Sequence, residues 1–308
     1  MTRGFLCAVF ISCVTTPAFA VNTPISSVRY TVSAVPLVPG VLSMTPEAMN
    51  SSGQVVGQTF GSGGYGTFFY DGTTTSTYQT ATYGGNAVGI NDSSTIVGWV
   101  SPGGVPLVYT QHGAAVTQLA PWNASGTYPY AINNTGQITG YGVDPATQNA
   151  RALLYTGGVI KNLGTAGGQT GSYGFALNSF GDVAGVASGV GPDRPMIYTA
   201  GAMHLIGSVG AQAYGINDSR QVVGKISSGQ GMGFFYDYPS NKFTTVAPPL
   251  GFDGCLLSGI NNAGTAVGQC STQSVIDAAV YFPGQTMTDL NQLIDPTSGW
   301  HLYSAVAI

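Results

Sequence analysis

Residues 259–268 read GINNAGTAVG. Two adjacent amides, a glycine and a short apolar run closed by a second glycine fit either a binding loop or a bend between strands. The rest of the chain decides. The pattern returns as AMNSSGQVVG from Ala48, GINDSSTIVG from Gly89, AINNTGQITG from Ala131, ALNSFGDVAG from Ala176 and GINDSRQVVG from Gly215. Each copy opens on a small residue, keeps its asparagine and closes on glycine. Asparagine side chains bond to nearby backbone in short turns, and glycine takes the position that needs positive φ. One asparagine at the same point of six hairpins is what turn chemistry predicts. Asn50, Asn91, Asn133, Asn178, Asn217 and Asn261 are therefore read as structural turn residues. Calcium would need several converging oxygens, and each loop offers at most one carboxylate, Asp92 or Asp218.

Some twenty residues past each asparagine stands a short apolar run ending in tyrosine, at Tyr70, Tyr109, Tyr155, Tyr198, Tyr236 and Tyr281. Shorter stretches such as VTQL, MHLIG and MTDL follow. The unit reads as strand, tight turn, strand, loop, strand, turn, strand. Successive asparagines lie 41, 42, 45, 39 and 44 residues apart. Four short strands per period of that length define a propeller blade. No stretch carries a sustained helical apolar period, and frequent glycine opposes helix throughout. A parallel β-helix is the structural alternative, but its repeat is shorter. The small residue opening each copy suits an innermost strand crowded around an axis, and the tyrosine-ending runs suit a middle strand packed between blades.

The pattern resembles the HAF repeat family of bacterial extracellular repeat proteins. The six asparagine hairpins, RALLY from Arg151, GTFFY from Gly66 and NLGTAGG from Asn162 to Gly168 carry the likeness, which spans residues 28–308. Ser94 and Arg220 depart from it by replacing the mid-turn glycine, and the histidine of the family motif is absent from every copy. The resemblance implies secretion and an all-β repeat fold. It carries no activity onto particular residues.

The ends bear on the blade count. GWHLYSAVAI places Ala307 and Ile308 where a seventh copy would put its small and apolar residues. VRYTV, residues 28–32, reads as an outer strand without the three before it. An N-terminal outer strand completing a C-terminal blade hides the last edge. The expectation is a β-propeller of about seven four-stranded blades, the last incomplete because the chain is truncated. The alternative is six blades with surplus ends.

MTRGFLCAVFISCVTTPAFA, residues 1–20, has a basic start, an apolar run too short to span a bilayer and a small-x-small ending. It reads as a secretory signal peptide cleaved near Ala20, with a lipoprotein signal at Cys13 as the rival. Residues 21–308 form one domain, and no later segment has the length of a membrane span. Secretion or display at the cell surface follows. Charged residues make up 6% of the chain, with eight Lys and Arg in all. That leaves no basic patch for nucleic acid or anionic lipid.

Only Cys255 and Cys270 survive signal removal. A four-residue loop from Asn261 to Gly264 makes Ile260 face Thr265, and counting outward pairs the two cysteines. A three-residue loop with a glycine bulge shifts the pairing by one and separates the sulfurs. Secretion favours the disulfide, which closes a loop whose constraint contributes ~3 kcal/mol.

The hairpins leave on one side of the ring, so variable loops collect on the other, where function on a regular scaffold usually lives. Trp99, Trp122, Tyr128 and Tyr130 are the candidate ligand-binding residues. Aromatics with amides on a nearly uncharged face suit stacking against sugars, whereas the bland reading makes them loop anchors. Enzyme motifs are weak. His112, His204 and His301 fall in different repeats, no G-x-S-x-G occurs, and GSGGYG at 61–66 is followed by no lysine. No catalytic residue, metal site or cofactor is assigned. The expectation is a secreted, monomeric, non-catalytic binding or scaffold propeller for an extracellular glycan or cell-surface component. The alternative is a glycoside hydrolase or lyase on the same scaffold, with carboxylates at the axis.

Overall fold

The computed structural model describes residues 30–61, 64–78, 85–100, 105–110, 115–119, 122, 126–207, 209–227 and 231–308. The signal segment with its cleavage point near Ala20, residues Val28 and Arg29, and His112 lie outside the described residues. The chain is all-β. Six four-stranded antiparallel sheets, each a meander in chain order, span residues 41–78, 85–118, 127–162, 171–205, 211–246 and 254–289. These are blades 1 to 6 of a β-propeller. A single turn of 3-10 helix, Leu290–Gln292, follows the last.

The first strand of each blade lies innermost: Val41–Met49, Gly85–Ile90, Thr127–Ile132, Gly171–Leu177, Ala211–Ile216 and Gly254–Ile260. The repeated decapeptide turns it back into the second strand. In blade 6, Asn261 N–H donates to Thr265 O at 3.0 Å and Gly264 N–H donates to Asn261 O at 3.0 Å. The mid-turn residue has positive φ in all six copies, 74–82° at Gly53, Gly136, Gly181 and Gly264 and 57° at Ser94 and Arg220. The two departures from glycine therefore accept a strained backbone.

A second feature recurs in every blade. The register between first and second strand slips at one equivalent point in all six, leaving Glu47, Val88, Tyr130, Phe175, Tyr214 and Ser258 unpaired as bulge residues; blade 1 slips a second time between Val41 and Ser43. Opposite each bulge stands the glycine that closes the decapeptide. A Cβ on Gly57, Gly98, Gly140, Gly185, Gly224 or Gly268 would lie 1.9–2.0 Å from an inner-strand carbonyl oxygen. Only a residue without Cβ admits that approach.

The core is distributed between blades. Phe68, Phe69, Met196, Ile197 and Phe234, from the tyrosine-ending third strands, are fully buried there. The small opening residue lets inner strands approach: a Cβ on Gly89 would sit 3.2 Å from Ile132 N and 3.3 Å from Ala131 Cα of the next blade. Cys255 and Cys270 are cross-strand partners and form the disulfide, buried between blades 5 and 6 beside Val223, Phe235 and Met287.

The count of about seven blades is corrected: among the described residues there are six four-stranded sheets. The seventh position around the axis is filled by two segments without ladders. Val306 and Ala307 lie against Gly259, with Val306 O 3.0 Å and Ala307 Cα 3.3 Å from its Cβ position, as Ala131 lies against Gly89. Ala305 N–H donates to Gly268 O at 3.1 Å and Ala278 N–H to Leu302 O at 2.8 Å. On the other side Tyr30 makes one parallel bridge to Ile294, and Val32 packs with blade 6 while Val35 packs with blade 1. The expected outer strand is thus a single bridge. Among the described residues no neighbouring strand stands beside either segment to extend a ladder, and side-chain burial holds them instead.

Candidate functional site

The axis of the ring carries two cavities. One, of about 860 Å³, opens among the hairpins and is lined by five of the six turn asparagines, Asn50, Asn133, Asn178, Asn217 and Asn261, together with Asp92, Ser33 and Ile308. The other, of about 260 Å³, lies toward the opposite mouth and is lined by all six bulge residues, with Val306 completing the circle. Met49, Ile90, Ile132, Ile216, Ile260 and Ile308 border both. These are the apolar residues that precede five of the six turn asparagines, together with Ile308 in the seventh position; Leu177, before Asn178, borders the larger cavity alone.

At the hairpin mouth the polar groups satisfy one another. Each asparagine Oδ1 accepts from the backbone N–H four residues on, at 2.9–3.0 Å. Its amide then reaches the next blade. Asn50 donates to Asn91 O, Asn91 to Asn133 O, Asn133 to Asn178 O, Asn178 to Asn217 O and Asn217 to Asn261 O, at 2.9–3.2 Å. Five of these bonds form a belt from blade to blade. A second set lies just outside it: Ser51 N–H donates to Asp92, Asp92 N–H to Asn134, Ser179 N–H to Asp218 and Asp218 N–H to Asn262. Burial tends to raise the Asp92 and Asp218 carboxyls, but the bonds these accept, from Ser51 N–H and the Asn134 amide and from Ser179 N–H and the Asn262 amide, outweigh it and hold both below the ordinary value. The residues that replace mid-turn glycine join the same network. Ser94 Oγ donates to Gln54 at 2.6 Å, and Arg220 Nε meets Asp182 at 2.8 Å. The turn asparagines are structural, and their interblade bonds are a role the sequence did not disclose.

The opposite mouth is different. Its bulge ring reads Glu47, Val88, Tyr130, Phe175, Tyr214 and Ser258, so three consecutive blades place an aromatic ring in the channel. Further rings join them. Trp99 meets Tyr128 edge-on at 5.5 Å, Tyr128 stacks on Tyr141 at 4.9 Å, and Tyr130 lies 5.9 Å from Tyr141 and 5.3 Å from Phe175. Tyr173 lies 4.8 Å from Tyr141, and Phe175 lies 5.8 Å from Tyr214. The result is a continuous aromatic strip across blades 2 to 5. Tyr130 is 37% exposed and the others are half-buried. Burial, then the neighbouring Tyr130, Tyr128 and Tyr173, push the Tyr141 hydroxyl up to about 12. Burial likewise raises Tyr130 and Tyr214. Tyr214 donates to Gln212, which donates to Asp193, both at 2.6 Å.

Three of the four sequence-predicted ligand residues, Trp99, Tyr128 and Tyr130, belong to this strip. They sit on strands and not, as expected, in loops. Trp122 stands apart: it covers the face of Gly142, where a Cβ would lie 2.8 Å from its ring, and its backbone N–H is held by Thr127. It is a loop anchor. Sequence reasoning missed Tyr141, Tyr173, Phe175 and Tyr214. A signal existed, since YAI, FAL and YGI put an aromatic directly before the small residue in three successive copies.

Glu47 is the one charged residue lining the inner cavity. Gln58 donates to it at 3.1 Å, and burial pushes its carboxyl up. Among the described residues no three His, Cys, Asp or Glu side chains converge for a metal ion, and no helix is long and apolar enough to cross a membrane.

No protein family matches the chain by sequence, and no curated protein does. Solved structures share the fold. A protein assigned as TolB from Agrobacterium tumefaciens is 10% identical, with a TM-score of 0.54 over 70% of this chain and 83% of that one. A catalytically inactive variant of virginiamycin B lyase from Staphylococcus aureus, solved with quinupristin, is 11% identical, with a TM-score of 0.56 over 80% and 84%. At such identities the likeness establishes the propeller and nothing finer.

Proposed function

We propose that this is a secreted, non-catalytic binding propeller that holds an extracellular or cell-surface polysaccharide on its aromatic strip. The strip carries the reading. Flat rings with apolar faces and polar edges suit sugar rings, which offer apolar faces and hydroxyl rims. The hydroxyls of Tyr128, Tyr130, Tyr141 and Tyr173 make no hydrogen bond to another described residue and are free for a ligand. The signal segment, the likeness to HAF repeats and the buried disulfide support secretion of a monomeric ring.

The hydrolase alternative asks for two carboxyl groups flanking the scissile bond, one with a raised pKa. The inner cavity offers Glu47 alone among its described lining residues. At the other mouth Asp92 and Asp218 are held ionised on different blades. Binding therefore accounts for more of what the site contains.

A glycan array on the purified full-length chain, followed by titration of the best oligosaccharide, tests this reading. Tyr141→Ala is expected to weaken binding about tenfold, ~1.4 kcal/mol. Phe180→Ala, on a hairpin tip, leaves affinity unchanged. A blank array, or equal loss in both variants, rejects the reading.

A further inference from the structure

We propose that the bulge ring at Glu47 is a binding site for an organic ammonium group, which on the reading above is the free amine of a sugar in the bound polysaccharide. The inference rests on what this carboxylate lacks. Glu47 is the only glutamate in the chain, and the bulge of blade 1 turns it into the inner cavity. Among the described residues its single side-chain partner is the neutral amide of Gln58 at 3.1 Å. No described Lys, Arg or His lines either axial cavity, and none of the described ion pairs involves Glu47. Three other carboxylates contrast with it: Asp182 meets Arg220, Asp144 meets Arg151, and Asp218 accepts from two amide donors. A partly desolvated carboxylate without a cation is costly unless a cation arrives.

The remainder of the ring suits that cation. Tyr130, Phe175 and Tyr214 enter the same cavity from blades 3, 4 and 5 at the same bulge position that Glu47 occupies in blade 1. Around the axis, those blades lie across the channel from blade 1. Aromatic faces opposite a carboxylate attract an ammonium group through ring quadrupole and charge together. The cavity of about 260 Å³ lies just below the usual range for small-molecule pockets. It has room for one headgroup, while the strip outside holds the neighbouring sugar rings.

Three probes separate the possibilities: a glucosamine oligosaccharide, the N-acetylglucosamine oligosaccharide of equal length, and tetramethylammonium. Titration of the full-length chain is expected to show the free-amine oligosaccharide binding about tenfold tighter than its acetylated counterpart. Glu47→Gln, which keeps size and the Gln58 contact, is expected to abolish that difference while leaving the acetylated oligosaccharide unchanged. Phe175→Leu, which keeps bulk but removes the π face, is expected to reduce it severalfold. Tetramethylammonium competing with the free-amine probe places the ammonium in the channel. Without that competition, or with equal affinity for the two oligosaccharides in the parent, the ammonium site is wrong although the glycan reading stands. If neither oligosaccharide binds and tetramethylammonium does, the site is right and the glycan reading is wrong. No binding of any probe overturns both.

Discussion

The two mouths of the channel are built from the same repeated unit and obey opposite rules. At the hairpin mouth six copies keep one asparagine, each bonded within its own turn, and five of the six amides also reach the next blade. At the other mouth the same structural position, the bulge, carries five different kinds of side chain in six copies, with few partners. Repetition marks what holds the ring together. Departure from it, at an equivalent backbone position, marks what the ring presents.

The largest effect should come from the glycines that face the bulges. Gly185→Ala forces a Cβ to within 1.9 Å of Tyr173 O, and the backbone must move. We expect a loss of roughly 3 kcal/mol or more in denaturant unfolding. Gly53→Ala has open space around its Cβ and meets only an unfavourable positive φ, for about 1 kcal/mol. Equal costs at the two positions would remove the distinction between a close-approach glycine and a turn glycine.

Asn133→Ala removes three bonds accepted inside its turn and two donated, to Gln137 and to Asn178 O, all buried or partly buried. About 2–3 kcal/mol is expected. A cost below 1 kcal/mol would mean the interblade belt contributes little.

The carboxylates give a comparison of sign. Asp182 is raised by burial but lowered further by hydrogen bonds from Thr199, Asn178 and Arg220 and by the charge of Arg220, for a net depression. Asp92 and Asp218 are depressed as well. Their stabilisation is present above the unfolded carboxylate value of about 3.9 and is lost as pH falls through the lower folded values. Glu47 is raised, so its contribution is present below its unfolded value and is lost as pH rises through the folded one. At neutral pH, Asp182→Asn should therefore lower the melting temperature and Glu47→Gln should raise it slightly. Shifts of the same sign would contradict the assignment.

The smallest effect belongs to the bulge ring itself. Ser258→Ala should change stability by about 0.5 kcal/mol or less, because the residue makes no described side-chain bond.

Much of this was legible in the sequence. Six decapeptides with tyrosine-ending runs between them sufficed for blades, and the turn role of the asparagines followed from local chemistry. The disulfide was paired correctly although the register near the turn was not as counted. Ile260 faces Ala266, not Thr265, and the bulge at Ser258 restores the alignment so that Cys255 still meets Cys270. The bulges themselves were invisible, because a skipped residue leaves no local composition signal. Hence the sequence alone puts Tyr128 and Tyr130 in loops and gives no reason for the closing glycines. The interblade amide bonds were equally hidden, since they join residues 39–45 positions apart that only the closed ring brings together. The seventh position misled for a physical reason. Ala307 and Ile308 do pack as an inner strand would, but packing alone does not make a ladder.

Hydroxyl-radical footprinting of the full-length chain, with and without a bound oligosaccharide, tests the division between mouths most directly. Phe180 stands 68% exposed on a hairpin tip and serves as the internal reference. Protection of Tyr130, Tyr141, Tyr173, Phe175 and Tyr214, with Phe180 oxidised at its free rate, is the predicted result. Protection of Phe180 with the aromatic strip unchanged would place the ligand on the hairpins and contradict the account.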